Sequence, residues 1–86
     1  MPLRLRPDIA TTGTDDGLVL LDERTGRYWQ LNSTGAHVLH ALLEGHHPDH
    51  IAADLATRYR IDVQRARNDV TAITDHLRVA KLVASS

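Results

Sequence analysis

The residue type best equipped for chemistry in this chain is histidine. There are six, three of them within Gly45-His46-His47-Pro48-Asp49-His50, while His37 and His40 have helical i, i+3 spacing. Imidazoles beside carboxylates suggest zinc, which needs three or four converging ligands. The chain has no Cys to complete such a set. His46 and His47 fall in a turn sequence and His50 at the start of a helix, so they read as solvated turn residues. His47 also stands where a helix N-cap belongs, a structural task. The hydroxyls Ser33, Thr34, Ser85 and Ser86 sit near a helix start or in the tail, and no Ser-His-Asp arrangement can be argued for them. Ser33 is better explained as a cap. Asp15-Asp16 and Asp22-Glu23 are paired carboxylates, but they lie in turns, where solvated acids are common. With 86 residues the chain is also small for enclosing a substrate cleft. The expectation is a protein with no catalysis of its own, no metal and no cofactor.

Nucleic acid is the next candidate ligand. A helix beginning near Asp62 would carry Gln64, Arg65, Arg67, Asn68 and Thr71, side chains able to reach bases or phosphates. The same helix carries Asp69 and Asp75, and acidic turns lie elsewhere. Ten basic and eleven acidic residues give a net charge of −1, whereas duplex affinity comes largely from neutralising phosphates. A DNA-binding regulator therefore stands only as the alternative function. Tyr28 and Trp29 fall on opposite faces of one strand, which makes no stacking platform for RNA. No apolar run approaches the roughly 20 residues of a membrane span, and residues 1–7 lack the apolar stretch of a signal peptide. The chain is expected to be soluble and cytoplasmic, with no nucleic-acid or membrane partner.

The elements that must position these residues are short. Residues 1–7 contain two prolines and two arginines and read as a flexible, extended arm. Residues 8–12 are weakly strand-like, Thr14-Asp15-Asp16-Gly17 is a turn, and Leu18-Val19-Leu20-Leu21 is a short apolar strand. Asp22-Glu23-Arg24-Thr25-Gly26 has the length and late glycine of a hairpin loop. Residues 27–31 form the return strand, with Trp29 and Leu31 inward and Tyr28 and Gln30 outward. Asn32 or Ser33 can cap a first helix bearing Val38, Leu39, Leu42 and Leu43. Pro48 opens a second helix with Ile51, Ala52, Leu55, Ala56 and Tyr59, and Asp62 caps a third with Val63, Ala66, Val70, Ile73 and Leu77. Leu82-Val83 is an apolar tail able to dock on the core. The expected class is α+β: a winged helix-turn-helix with a three-stranded antiparallel sheet followed by three helices. The expected organisation is an arm over 1–7, one domain over 8–83 and a tail over 84–86.

What remains for function is the backbone edge of residues 27–31. If the third helix lies alongside it, strand and helix form a groove, and an extended peptide can add as a further strand. Flanking the apolar stripe of that helix are Arg67, Thr74 and Arg78 on one side, Asp69 and His76 on the other; the helical wheel does not choose between them. The competing reading is an edge merely shielded by the N-terminal arm.

The segments Asp16-Gly17-Leu18-Val19-Leu20-Leu21-Asp22, residues 26–36 (with Leu31-Asn32-Ser33-Thr34-Gly35), Leu42-Leu43-Glu44-Gly45 and residues 51–59 resemble the PqqD-like family. Its members are leader-recognition elements of ribosomally made, post-translationally modified peptides. The overall style is similar to the stand-alone recognition proteins of lasso-peptide clusters. The resemblance covers residues 8–83. It implies that a precursor's leader peptide binds as an added antiparallel strand between the third strand and the third helix. It further implies presentation to a separate leader peptidase and to an ATP-dependent macrocyclase. Carried onto this chain, Arg27, Tyr28, Trp29, Gln30 and Leu31 supply the pairing edge. Arg67, Asp69, Val70, Ile73, Thr74 and Leu77 supply the candidate facing wall.

Overall fold

Two tight turns organise the first half of the chain. The computed structural model describes residues 3–85; Met1, Pro2 and Ser86 lie outside it. After a first short strand, β1 (Leu3–Leu5), the chain forms β2 (Ile9–Thr14), β3 (Gly17–Asp22) and β4 (Tyr28–Asn32), an antiparallel sheet of order β2-β3-β4. Asp15-Asp16 make the first turn. A Cβ on Gly17 would collide with the Leu31 carbonyl oxygen, so the approach of β3 to β4 there requires glycine. The second turn closes with Asp22 N–H donating to the Arg27 carbonyl at 2.8 Å and Gly26 N–H to the Asp22 carbonyl at 2.8 Å. Gly26 takes the left-handed φ of 76° that this loop needs. Asp22 also accepts from the Arg24 N–H at 2.9 Å.

Cross-strand register places Leu20 opposite Trp29 and Leu18 opposite Leu31. These four residues share the face that packs on the helices, with Leu18 and Leu20 buried and Trp29 and Leu31 half-buried. Val19, Leu21, Tyr28 and Gln30 share the opposite face.

Helix α1 (Ser33–Leu43) follows β4 without a linker, because Asn32 is both the last strand residue and the helix cap. Its side-chain Oδ1 accepts from the Gly35 N–H at 2.8 Å. Val38, Leu39 and Leu42 of α1 are buried; each such side chain contributes about 1.5–3 kcal/mol to folding. Helix α2 (Pro48–Tyr59) is capped by His47, whose Nδ1 accepts from Asp49 N–H at 3.1 Å. It ends at Arg60 in the left-handed conformation. Helix α3 (Val63–Val79), capped by Asp62, packs on α2 and α1 through its buried residues Ala66, Val70 and Leu77.

The ends of the described chain depart from expectation. Residues 3–5 are not an arm: β1 pairs with β5 (Val83–Ser85) in a separate antiparallel ladder, Leu3 opposite Ser85 and Leu5 opposite Val83. Leu3, Leu82 and Val83 are buried in the common core. The pairing supplies hydrogen bonds to segments whose apolar side chains already have a place there. The weak strand expected over residues 8–12 extends to Thr14, and the tail reads as strand through Ser85.

Candidate functional site: a groove along the free edge of β4

Strand β4 lies at an edge, with β3 as its partner among the described residues. Bonded and non-bonded pairs alternate along an antiparallel ladder. Since the Arg27 carbonyl is bonded to Asp22, the backbone groups of residues 29 and 31 likewise face β3. The N–H and C=O groups of Tyr28 and Gln30 therefore point away from it, unpaired among the described residues.

The groove beside this edge has a volume of about 450 Å³. Gln30, Leu31 and Asn32 form the strand side, Thr34 and Gly35 the end where β4 turns into α1, and Arg65, Asp69, Ala72 and Ile73 the wall from α3. α3 packs chiefly on α1, α2 and β5, which leaves the space beside β4 open. The Leu31-Asn32-Ser33-Thr34-Gly35 junction shapes its base. A Cβ added to Gly35 would lie 3.3 Å from Leu31 Cβ and 3.4 Å from Asn32 Oδ1, so glycine lets helix and strand meet closely here. The four α3 residues recur at i, i+4, i+7 and i+8, one face of a helix.

Of the residues named from sequence, Gln30, Leu31, Asp69 and Ile73 come together in the groove. Tyr28 is 71% exposed on the opposite sheet face, contributing its backbone to the edge. Trp29 packs against the core from the inner face. Arg27 precedes the strand, its N–H donating to Thr25 Oγ1 at 3.3 Å. Arg67 lies away from the groove, with its Nε 4.0 Å from Asp49 Oδ1 at the start of α2. Val70, Thr74 and Leu77 turn inward: Val70 and Leu77 are core residues. The Thr74 hydroxyl donates to the Val70 carbonyl at 2.7 Å. These three support the wall from behind. The open flank is thus the Asp69 side of the helix. Asn32, Thr34, Gly35, Arg65 and Ala72 also line the groove, although the sequence had not assigned them to it. The helical spacing around Asp69 points to Arg65 and Ala72 once the flank is known.

Two further concavities carry residues singled out from the sequence. One, of about 360 Å³, continues from Gln30, Leu31 and Asn32 to Thr14 and Asp16 at the β2–β3 turn. The other, of about 290 Å³, lies between α1 and α2 and includes His37, His40, His46 and His50. There His37 Nε2 lies 2.8 Å from Asp54 Oδ2, tying α1 to α2, and Asp54 also takes Arg58 Nε at 3.3 Å. The His46 and His50 rings stack at 5.4 Å. No group of three or more His, Cys, Asp or Glu among the described residues is arranged to hold a metal ion. None of the described helices is long and apolar enough to cross a membrane.

Comparison with known proteins matches residues 17–83 to the family described as coenzyme PQQ synthesis protein D (PqqD). Among solved structures, a lasso peptide synthetase B1 complexed with the leader peptide superposes with a TM-score of 0.91 at 39% identity, over 99% of this chain and 100% of that one. A second, TbiB1 in complex with the TbiA(beta) leader peptide, superposes with a TM-score of 0.83 at 24% identity, over 96% of each chain, and shares the fold. No curated protein sequence matches.

Proposed function

Since the chain belongs to the PqqD family, we propose that it binds the leader peptide of a ribosomally made precursor, of the lasso-peptide class, without catalysing a reaction itself. The leader adds as an antiparallel strand to the outward-facing groups of Tyr28 and Gln30. Its side chains on the helix side then enter the groove over Leu31 and Gly35, against Ala72 and Ile73. Main-chain hydrogen bonds supply affinity and the groove supplies selectivity. The single observation that carries this reading is the unpaired β4 edge standing open beside α3. The 39%-identical relative, solved with a leader peptide, supports it. The bound leader is held for a separate leader peptidase and an ATP-dependent macrocyclase, in the cytoplasm.

The test is fluorescence polarisation with a fluorescein-labelled synthetic leader of the cognate precursor. Saturable binding is expected, insensitive to competing duplex DNA. No binding at high micromolar protein sinks the proposal. Presentation has its own readout: leader cleavage by the cognate leader peptidase should slow when this protein is withheld.

A further inference from the structure

A strand added to β4 has two faces, and the groove beside α3 meets only one of them. Side chains alternate across a sheet, so every second residue of the added strand stands on the side of Tyr28, Gln30 and Asn32. On that side, at the Asn32 end of the edge, lies the concavity bounded by Thr14, Asp16, Gln30, Leu31 and Asn32. Its lining residues bring a hydroxyl, two carboxamides and one carboxylate, while the Leu31 side chain belongs to the opposite, core-packing face. Asp16 is exposed and, among the described residues, makes no ion pair. The cation of the groove, Arg65, belongs to the α3 wall and not to this concavity.

We infer that Asp16, with Thr14, Gln30 and Asn32, receives a basic side chain of the bound peptide, Lys or Arg, from the face opposite the α3 groove. This rests on the leader-binding reading above and adds a register mark to it. Ladder hydrogen bonds repeat every two residues and are indifferent to sequence, so a peptide on an edge can slide by two. A carboxylate in the β2–β3 turn, beyond the Asn32 end of β4, breaks that equivalence: only one register lets the basic residue reach across the outer sheet face to Asp16. The contact is solvent-exposed, so its worth is that of a surface ion pair, about two- to fivefold in affinity. Reversing the charge replaces attraction by repulsion and doubles the effect on a logarithmic scale.

The experiment is polarisation binding of the labelled leader at low salt to the parent protein and to Asp16→Asn, Asp16→Lys and Asp15→Lys. Asp15 is the neighbouring acid outside the concavity, so its variant controls for net charge. Asp16→Asn should weaken binding about threefold and Asp16→Lys about tenfold, with the loss shrinking at high salt; Asp15→Lys should change it less than twofold. Each basic residue of the leader is then replaced by Glu in turn. One of these peptides should regain affinity selectively for Asp16→Lys. Tight binding by all variants, or equal losses at positions 15 and 16, overturns the Asp16 assignment and leaves leader binding intact. Rescue by none of the Glu peptides does the same. No binding by the parent removes both.

Discussion

Neighbouring residues of α3 separate binding from folding. Ile73 packs on the core with one side and lines the groove with the other, whereas Val70 is 2% exposed. A carboxylate at 73 can reach water through the groove, and a carboxylate at 70 cannot. Ile73→Glu should therefore weaken leader binding more than tenfold while circular dichroism stays that of the parent. Val70→Glu should cost about 3 kcal/mol or more of stability, visible as a lowered melting temperature. Unchanged leader affinity in Ile73→Glu would remove α3 from the binding surface. Asp22 gives a second prediction at this scale. Desolvation alone would raise its pKa, but the Arg24 and Thr25 backbone N–H groups and the Thr25 hydroxyl outweigh that, and the net shift is downward. A depressed carboxylate stabilises the hairpin above its unfolded pKa, and that contribution is lost as pH falls through the folded value. The Asp22 side-chain carbon, followed by NMR, should titrate below the usual carboxylate range of about 4. A midpoint at or above that range argues against the turn hydrogen bonds.

At the scale of the element, β4 is where sequence reading went furthest. Alternation of Tyr28-Trp29-Gln30-Leu31 between turn residues and a cap marks the strand and its inner face. The missing information was rotational: the apolar stripe of α3 is flanked by Arg67 on one side and Asp69 on the other, and which flank faces β4 depends on how three helices cross. That is a tertiary property, so Arg65 and Ala72 could not be read from the chain alone. The parity of the ladder likewise required the Asp22–Arg27 hydrogen bond. It yields a sharp prediction. The Gln30 N–H points away from β3, so Gln30→Pro removes a donor the sheet does not use; proline is tolerated in edge strands in that orientation. The variant should fold and lose leader affinity at least tenfold. Trp29→Pro, which removes a donor to β3, should instead unfold the domain. Should Gln30→Pro bind like the parent, the leader does not pair with this edge.

The whole molecule is held closed at its ends, which local sequence patterns could not reveal. Three residues with two leucines look like an arm, because a strand this short shows no periodicity and its partner lies about eighty residues away. The structure pairs Leu3–Leu5 with Val83–Ser85 and sinks Leu3, Leu82 and Val83 into the shared core. In a domain this small, which buries only about 60–65% of its unfolded surface, such a clasp matters for stability. β1 packs beside α1, and β5 beside α3; neither contributes a side chain to the β4 groove. Stability and binding should therefore separate. Leu3→Ala should cost about 2–3 kcal/mol and lower the melting temperature by roughly 10 °C or more. Typical domain stabilities of about 5–15 kcal/mol leave such a variant folded at room temperature. Its affinity for the leader, measured at 20 °C, should stay within twofold of the parent. A melting temperature that does not move would mean the end-to-end ladder adds nothing to the core. Loss of affinity in a variant still folded at 20 °C would show that the clasp sets the position of α3, and with it the width of the groove.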